Sequence, residues 1–441
     1  MLIDYFKLRE KRTNVRTEFV AGLTTFLTMA YIIFVNPAIL GETGMDKSAL
    51  VAVTCIATAI STIITGLWAN APIAMAPGLG LNNFFAYLVV SGKMDWQTAL
   101  GAVFISGVIF WAVTLAGLRK RIVEAIPASL VSAIGVGIGL FITFIGLKNL
   151  GLIVRNEVTF ISSGPLSLTV LIGLFGLLVM IYLETKKIKG ALLVGIVGST
   201  ILAAACKKIE LPHQIISSHL DISAVAFKLD IIGALKWGFF GSIFTLAFID
   251  MFDSVGTLVA CCRQADMVDE NGKIKGLDRL LSIDAIATVI GALFGTSTVS
   301  AYIESAAGIE QGGRTGLTSI VTGVLFLFAL LFIPIVAIVP LYATAPALIM
   351  VGLFMSREVK KIDFTNLEEA FPAFIIMVMI ALSYSISTGL AFGFISFVLI
   401  KLVSGRIKDI RPVMWVIAIL SVLFLSLDSI TDFVEYVKTF I

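Results

Sequence analysis

Long apolar runs alternate with short polar segments along nearly the whole chain. A helix that crosses a bilayer needs roughly 17 to 25 predominantly apolar residues, and most of the runs are about that long. The first seven apolar blocks are residues 17–40, 48–70, 72–90, 98–117, 128–147, 165–183 and 190–206. The next seven are residues 236–260, 279–294, 296–311, 315–335, 337–355, 370–386 and 387–403. This pattern predicts an all-α membrane protein with fourteen spans, and leaves open whether a further stretch, 413–428, spans or lies on the surface.

The composition excludes a soluble globular protein. Hydrophobic residues make up 58% of the 441 residues and charged residues only 14%. Soluble domains carry about 25% charged residues, so this chain cannot cover itself with a surface that faces water.

Basic residues cluster on one side of the predicted spans. They precede block one (Lys7, Arg9, Lys11, Arg12) and follow blocks four (Arg119–Arg121), six, eight (with Lys273 and Lys275), twelve and fourteen. Cytoplasmic loops carry the excess of lysine and arginine, so both ends of the fourteen-span core are predicted to be cytoplasmic. The main exception is the pair Lys207 and Lys208. We therefore expect a multi-pass protein of the cytoplasmic membrane whose N-terminus is cytoplasmic and is not a cleaved signal peptide.

The two groups of seven blocks resemble each other. Residues 66–80 align with residues 291–305, and residues 189–198 resemble residues 388–397, in the same order within each half. An odd number of spans per repeat inverts the second copy. Inverted repeats are common in transporters, which place the substrate site where the repeats meet, near the middle of the membrane.

Blocks three and ten are poor helices. Block three holds Pro72, Pro77, Gly78 and Gly80 within nine residues, and block ten begins with hydroxyl and β-branched residues that continue to about Glu304. Proline removes a backbone donor and glycine weakens a helix. Both blocks are predicted to be a short strand followed by a half-helix, with the two extended stretches supplying each other's hydrogen bonds inside the bilayer.

Acidic residues lie within the spans. Asp250 and Asp253 are three residues apart in block eight, on one helix face, and Glu304 lies at the break of block ten. Carboxylates at such depth normally face a cavity and serve ions, protons or substrate. Because no lysine or arginine lies deep within a predicted span, protonation is the available way to neutralise them. Proton coupling is the natural hypothesis, and a sodium site stays open.

Other polar and aromatic residues near the breaks suit a flat heterocycle. Asn82 and Asn83 offer amide donors and acceptors, and Phe84, Phe85 and Tyr302 could stack on a ring. The four cysteines and two histidines show no metal-ligand spacing, and we find no nucleophile–base pair. The sequence therefore predicts no enzyme activity, no cofactor and no metal.

The chain resembles the nucleobase/ascorbate transporters, and more closely their AzgA-like purine permease branch. Three segments carry the resemblance: Ala-Pro-Gly-Leu-Gly-Leu-Asn-Asn-Phe-Phe at 76–85, Asp-Met-Phe-Asp-Ser-Val-Gly-Thr-Leu at 250–258, and 284–297 with its continuation Tyr-Ile-Glu-Ser-Ala-Ala-Gly at 302–308. The resemblance implies a core domain (17–117 and 236–335), a gate domain (128–206 and 337–403) and a C-terminal extension (404–441).

The resemblance also assigns site residues. It implies that Asp253 and Glu304 meet the nucleobase, that the backbone around Tyr302 and Ile303 contacts the base edge, and that Asn82 is the asparagine of the third span. Relatives that handle uracil have a histidine where this chain has Thr257, which favours the purine branch. Substrate binding is thus expected at Asp253, Glu304, Asn82, Phe84, Tyr302, Ile303 and Thr257, and proton coupling at Asp250, Asp253 and Glu304.

The predicted function is proton-coupled uptake of purine nucleobases, guanine or hypoxanthine first and adenine as the other choice. The alternative is an anion transporter of the related sulfate/bicarbonate group, which the buried acids disfavour because an anion site calls for a cation. The expected partners are a purine nucleobase, protons and the lipid bilayer, with a homodimer left open and no nucleic acid.

Overall fold

Helices form almost all of the regular structure, as the long apolar runs require, since a helix satisfies its own backbone hydrogen bonds in lipid. The computed structural model describes residues 2–117, 126–210, 216, 221–236, 239–268, 274 and 276–440. The basic cluster Arg119–Arg121 and the lysines Lys273 and Lys275 lie outside these residues.

The first half of the chain holds nine helices and three strands in its described ranges. The helices are α1 (Leu2–Tyr5), α2 (Val15–Met29), α3 (Ile32–Leu40), α4 (Lys47–Ile64), α5 (Leu79–Val90), α6 (Trp96–Leu115), α7 (Ala128–Leu150), α8 (Leu168–Thr185) and α9 (Ala191–Ala205). The strands are β1 (Met75–Pro77), β2 (Ile153–Asn156) and β3 (Phe160–Ser163), and a π-helical turn (Thr65–Ala69) extends α4.

The second half, over its described residues, holds ten helices and one strand. The helices are α10 (Ile231–Ala234), α11 (Phe240–Gln264), α12 (Leu277–Phe294), α13 (Ser305–Glu310), α14 (Gly316–Ala329), α15 (Ile333–Ala337), α16 (Leu341–Ser356), α17 (Leu367–Leu382), α18 (Ile386–Val403) and α19 (Pro412–Phe440). The strand is β4 (Val299–Ala301). Short 3-10 turns occupy Leu330–Phe332, Arg357–Lys361 and Ile407–Asp409, and one more, Gly41–Thr43, lies in the first half of the chain.

Polar caps mark where several helices begin. The side chains of Asn14, Asp46 and Asp95 accept the backbone N–H of the residue three positions later, at 3.0, 2.8 and 2.7 Å. These bonds satisfy donors that have no partner inside the helix. The apolar blocks of the sequence therefore become helices at the boundaries that their flanking polar residues set.

Six helical segments of the described chain are long and apolar enough to cross a membrane. They are residues 15–43, 47–69, 96–115, 128–150, 168–185 and 316–337. Shorter apolar helices include Leu79–Val90 and Ala191–Ala205. The chain is thus mostly helical with several potential membrane spans, as its hydropathy predicts.

The helices contact one another in two sets. In one set, α4 packs against α14, α6 against α12, and α2 against α13 and α14. In the other set, α7 packs against α16 and α17, while α8 and α9 pack against α16. The sets meet where α5 contacts α7 and where α3 contacts α16.

Glycines allow the closest approach within the first set. A methyl group on Gly316 would lie 1.9 Å from the backbone oxygen of Gly66, and one on Gly66 would lie 2.5 Å from the oxygen of Gly316. Small residues at helix contacts let backbones approach and pack in membranes. The start of α14 is thereby pressed against the turn that follows α4, beside the segment that leads into β1.

Candidate functional site

Two short strands, β1 (Met75–Pro77) and β4 (Val299–Ala301), pair among the first set of helices and form the strand crossing. β1 pairs with β4 in an antiparallel register, with Met75 opposite Ala301 and Pro77 opposite Val299. The backbone N–H of Gly78 donates to the oxygen of Thr298 at 3.0 Å, and that of Tyr302 donates to Ala74 at 2.9 Å. The two extended stretches thus satisfy each other's backbone groups, as blocks three and ten predict.

A half-helix follows each strand. Gly78 precedes α5 and Glu304 precedes α13, so both helices begin next to the strand pair. All six residues of the two strands are buried. The strand pair therefore places Tyr302 and Glu304 beside the start of α5, although they lie far from that helix in the sequence.

Glu304 is held by Thr28 in α2 and by Tyr31, the residue that precedes α3. The hydroxyl of Tyr31 donates to Oε1 of Glu304 at 2.5 Å, and the hydroxyl of Thr28 lies 3.4 Å from the backbone oxygen of Glu304. Tyr31 is fully buried and occupies the break between α2 and α3. The carboxylate expected to meet substrate thus has a neutral phenol as its side-chain donor.

A network of side-chain amides and hydroxyls lies beside the strand crossing. Oδ1 of Asn36 accepts from Nδ2 of Asn82 at 2.7 Å, and Nδ2 of Asn36 donates to the hydroxyls of Thr54 (2.7 Å) and Thr296 (3.0 Å). The hydroxyl of Ser297 donates to Oδ1 of Asn82. Both ends of the Asn82 amide are therefore engaged within the protein, and its neighbour Asn83 donates to Leu79 in its own helix at 2.8 Å.

Two buried acids lie behind β4. Oδ2 of Asp250 accepts from the hydroxyl of Thr288 at 2.7 Å, and that hydroxyl also lies 3.2 Å from the backbone oxygen of Val299. Oδ1 of Asp284 accepts the backbone N–H of Ala301 at 3.1 Å. Asp250 and Asp284 are both fully buried. Asp284 thus bonds β4 directly and Asp250 is connected to it through Thr288, and β4 leads to Glu304.

The other residues predicted for the site differ in their exposure. Tyr302 is buried and its hydroxyl donates to the backbone oxygen of Pro77 at 2.6 Å. Phe84 is packed in the hydrophobic core, whereas the Ile303 side chain is 50% exposed. Thr257 lies partly exposed in α11. Asp253 belongs to the same helix, and its side chain lies outside the described part of the chain.

The sequence did not single out Tyr31, Asn36 or Asp284 as separate site residues. Each is an isolated polar group within an apolar block, and Asn36 is followed by Pro37 inside α3. A buried polar group is stable only when it is hydrogen-bonded, so such isolated residues signal a partner on another span. The sequence does not say which span supplies that partner.

Within the described part of the chain, neither a metal cluster nor the small cavity between α11, α18 and α19 adds to this site. Among the residues that the structure describes, no group of histidine, cysteine, aspartate and glutamate could hold a metal ion. A small apolar cavity lies between α11, α18 and α19, where Phe244, Leu390, Phe394 and Phe424 line it. None of its lining residues belongs to the strand crossing.

Membrane-length helices, two interrupted spans and a strand crossing lined by buried polar side chains define a membrane transport protein. The chain belongs to the permease family, whose model matches residues 16–392. It is 43% identical to the adenine permease AdeP of Escherichia coli (strain K12) over 96% of this chain and 95% of that protein. It is 40% identical to the guanine/hypoxanthine permease PbuG of Bacillus subtilis (strain 168), over 95% of this chain and 98% of that one.

A solved structure shares the fold at low sequence identity. The transmembrane domain of the cyanobacterial bicarbonate transporter BicA superposes with a TM-score of 0.63 at 17% identity, and the match covers 84% of this chain and 96% of that chain. At this identity the likeness establishes the architecture alone, because one fold can carry different functions.

Proposed function

We propose that this permease takes up purine nucleobases across the cytoplasmic membrane in symport with protons. The observation that carries the proposal is the partly buried carboxylate of Glu304 at the strand crossing, in a chain whose relatives include adenine and guanine/hypoxanthine permeases. Guanine, hypoxanthine and adenine are the candidate substrates.

The chemistry of the site suits a purine. A carboxylate accepts hydrogen bonds from ring N–H and exocyclic amino groups, and such charge-assisted bonds are among the strong ones. In our proposal Glu304 and Asp253 bind the base, with the backbone at Tyr302 and Ile303 along its edge. Phe84 and Thr257 complete the predicted substrate shell. Because the amide of Asn82 is bonded to Asn36 and Ser297, its contribution is to hold the site in shape.

The proposed architecture has fourteen spans in two inverted repeats. The helix contacts support it, because equivalent pairs of spans from the two halves are in contact. The second and eleventh spans (α4 and α14) pack together, and so do their counterparts, the ninth and fourth spans (α12 and α6). The first and eleventh spans (α2 and α14) pack together, and so do the eighth and fourth spans (α11 and α6). The two sets of contacting helices support a core domain (17–117 and 236–335) and a gate domain (128–206 and 337–403). We place the N-terminus in the cytoplasm from the distribution of basic residues.

Proton coupling follows from the buried acids. Asp250 is fully buried, and its Oδ2 accepts from the neutral hydroxyl of Thr288. A charged carboxylate in such surroundings is costly, and taking up a proton removes that cost. In the proposed cycle at least one of Asp250, Asp253 and Glu304 binds a proton together with the substrate.

The anion-transporter alternative has weaker support. It rests on the fold shared with BicA at 17% identity, whereas two relatives that are 43% and 40% identical are named as adenine and guanine/hypoxanthine permeases. Glu304 at the crossing would also repel an anion. Transport of labelled guanine, hypoxanthine, adenine, uracil and sulfate by one expressing strain separates the two functions: uptake of purines supports the proposal, and uptake of sulfate alone would replace it.

Coupling is tested by changing the gradient. Purine uptake should rise with an inward proton gradient and collapse when a protonophore is added, because the proton gradient supplies the free energy. Vesicles in which sodium replaces potassium serve as the control. Uptake that needs sodium and ignores the protonophore would refute proton symport.

A further inference from the structure

The bond between Tyr31 and Glu304 joins two residues that are 273 positions apart in the chain. It is short, at 2.5 Å between the phenol oxygen and Oε1, and Tyr31 is only 1% exposed. Short O–H···O bonds of this kind are typical of an ionised acceptor. The phenol therefore orients the Glu304 side chain in the absence of substrate.

The break in the first span places the Tyr31 hydroxyl next to Glu304. Helix α2 ends at Met29 and α3 starts at Ile32, so Tyr31 lies at the break. Three residues earlier, Thr28 reaches the backbone oxygen of Glu304. A methyl group on Gly308 would lie 2.1 Å from the hydroxyl of Thr25, so only glycine lets α13 pack this closely on α2. The backbone and the carboxylate of Glu304 are thus both held by the first span.

We infer that Tyr31 is a positioning residue for purine binding, which holds the Glu304 carboxylate in the orientation that the nucleobase meets. This inference rests on the proposed function, since it assigns a role to Tyr31 in the same site. A carboxylate that is already oriented loses less side-chain freedom when a ligand binds, and pre-organisation of this kind raises affinity. Without the phenol, Oε1 of Glu304 loses the hydroxyl that donates to it, and the side chain is freer to turn.

The variant Tyr31→Phe removes one hydroxyl and keeps the ring that fills the core. We expect the Kd for the preferred purine to rise about tenfold, near the lower end of the range for a hydrogen bond to a charged group. The maximal uptake rate at saturating purine should stay within about twofold. Calorimetry on purified protein and uptake kinetics in proteoliposomes give the two values. A purely structural role would lower the amount of active protein and leave the Kd unchanged.

Tyr342→Phe is the matched control. Tyr342 lies in α16, and its buried hydroxyl has no hydrogen-bond partner among the described residues. Removing it takes away a buried tyrosine hydroxyl, as Tyr31→Phe does, without touching Glu304. We expect its Kd to equal that of the wild type, so that the effect at Tyr31 is specific to the carboxylate.

A second measurement reports the bond itself. Thermal unfolding in detergent, without substrate, should show that Tyr31→Phe lowers the midpoint in the wild type but has little further effect in Glu304→Leu, whose side chain offers no acceptor, because the effects of substitutions at the two ends of one hydrogen bond are not additive. Additive shifts, or an unchanged or tighter purine Kd in Tyr31→Phe, would overturn the inference. If the wild type binds no nucleobase, the proposed function fails and the role of Tyr31 falls with it; if the wild type binds and Tyr31→Phe binds equally, only the inference fails.

Discussion

The amide of Asn36 gives the sharpest test of how the strand crossing is held. Asn36 is fully buried and bonds three residues, Asn82 from the third block, Thr54 from the second and Thr296 from the tenth. Asn36→Leu keeps a side chain of similar size and removes all three bonds. The substitution therefore removes hydrogen bonds and changes the packed volume little.

The expected loss in the free energy of unfolding depends on which polar groups lose a hydrogen-bond partner. The hydroxyl of Thr54 still donates to the backbone oxygen of Leu50 at 2.6 Å, so it loses only an acceptor role. Nδ2 of Asn82 loses the acceptor to which it donates, and Asn82 is 0% exposed. A buried donor left without an acceptor costs about 1–3 kcal/mol. We expect Asn36→Leu to lower the free energy of unfolding by about that amount, most of it from Asn82.

The assay compares two buried asparagines. Asn83→Leu is the control, because the bond that the described residues offer the Asn83 side chain is the one to Leu79, within its own helix. Thermal unfolding of the purified proteins should show a clear loss for Asn36→Leu and a smaller one for Asn83→Leu. Purine uptake should show a raised KM only in Asn36→Leu, because α3 then no longer bonds α5 and the segment before β4. Equal melting and equal KM in the two variants would refute the reasoning.

Two further predictions concern the acids. Glu304→Gln keeps the shape of the side chain and removes its charge, so we expect severely reduced purine uptake with normal membrane insertion; uptake kinetics equal to the wild type, at matched protein levels, would exclude an essential charge. Asp253→Asn should weaken or abolish purine binding in calorimetry, whereas Asp250→Asn, whose carboxylate bonds Thr288 behind β4, should spare binding more than concentrative uptake in proteoliposomes. The reverse order of effects would exchange the two roles.

The local sequence determined the spans and their interruptions. Each of the fourteen apolar blocks contains one or two helices or, in blocks three and ten, a strand and a half-helix. Prolines and glycines at 72–80 and hydroxyl residues at 295–300 disfavour a helix at the place where they stand, and hydropathy depends on composition alone. These signals depend on a few neighbouring residues, so they can be recognised in the sequence without the tertiary structure.

Only the tertiary structure decided which polar groups meet. The sequence led us to offer Asn82 to the substrate, yet its amide is bonded to Asn36 and Ser297, and Ser297 lies 215 positions away. Tyr31, which the sequence did not distinguish from other aromatic residues, reaches Glu304 across 273 positions. An isolated polar residue in an apolar span must find a partner, but its choice depends on how distant helices pack and on the strand pair that positions them.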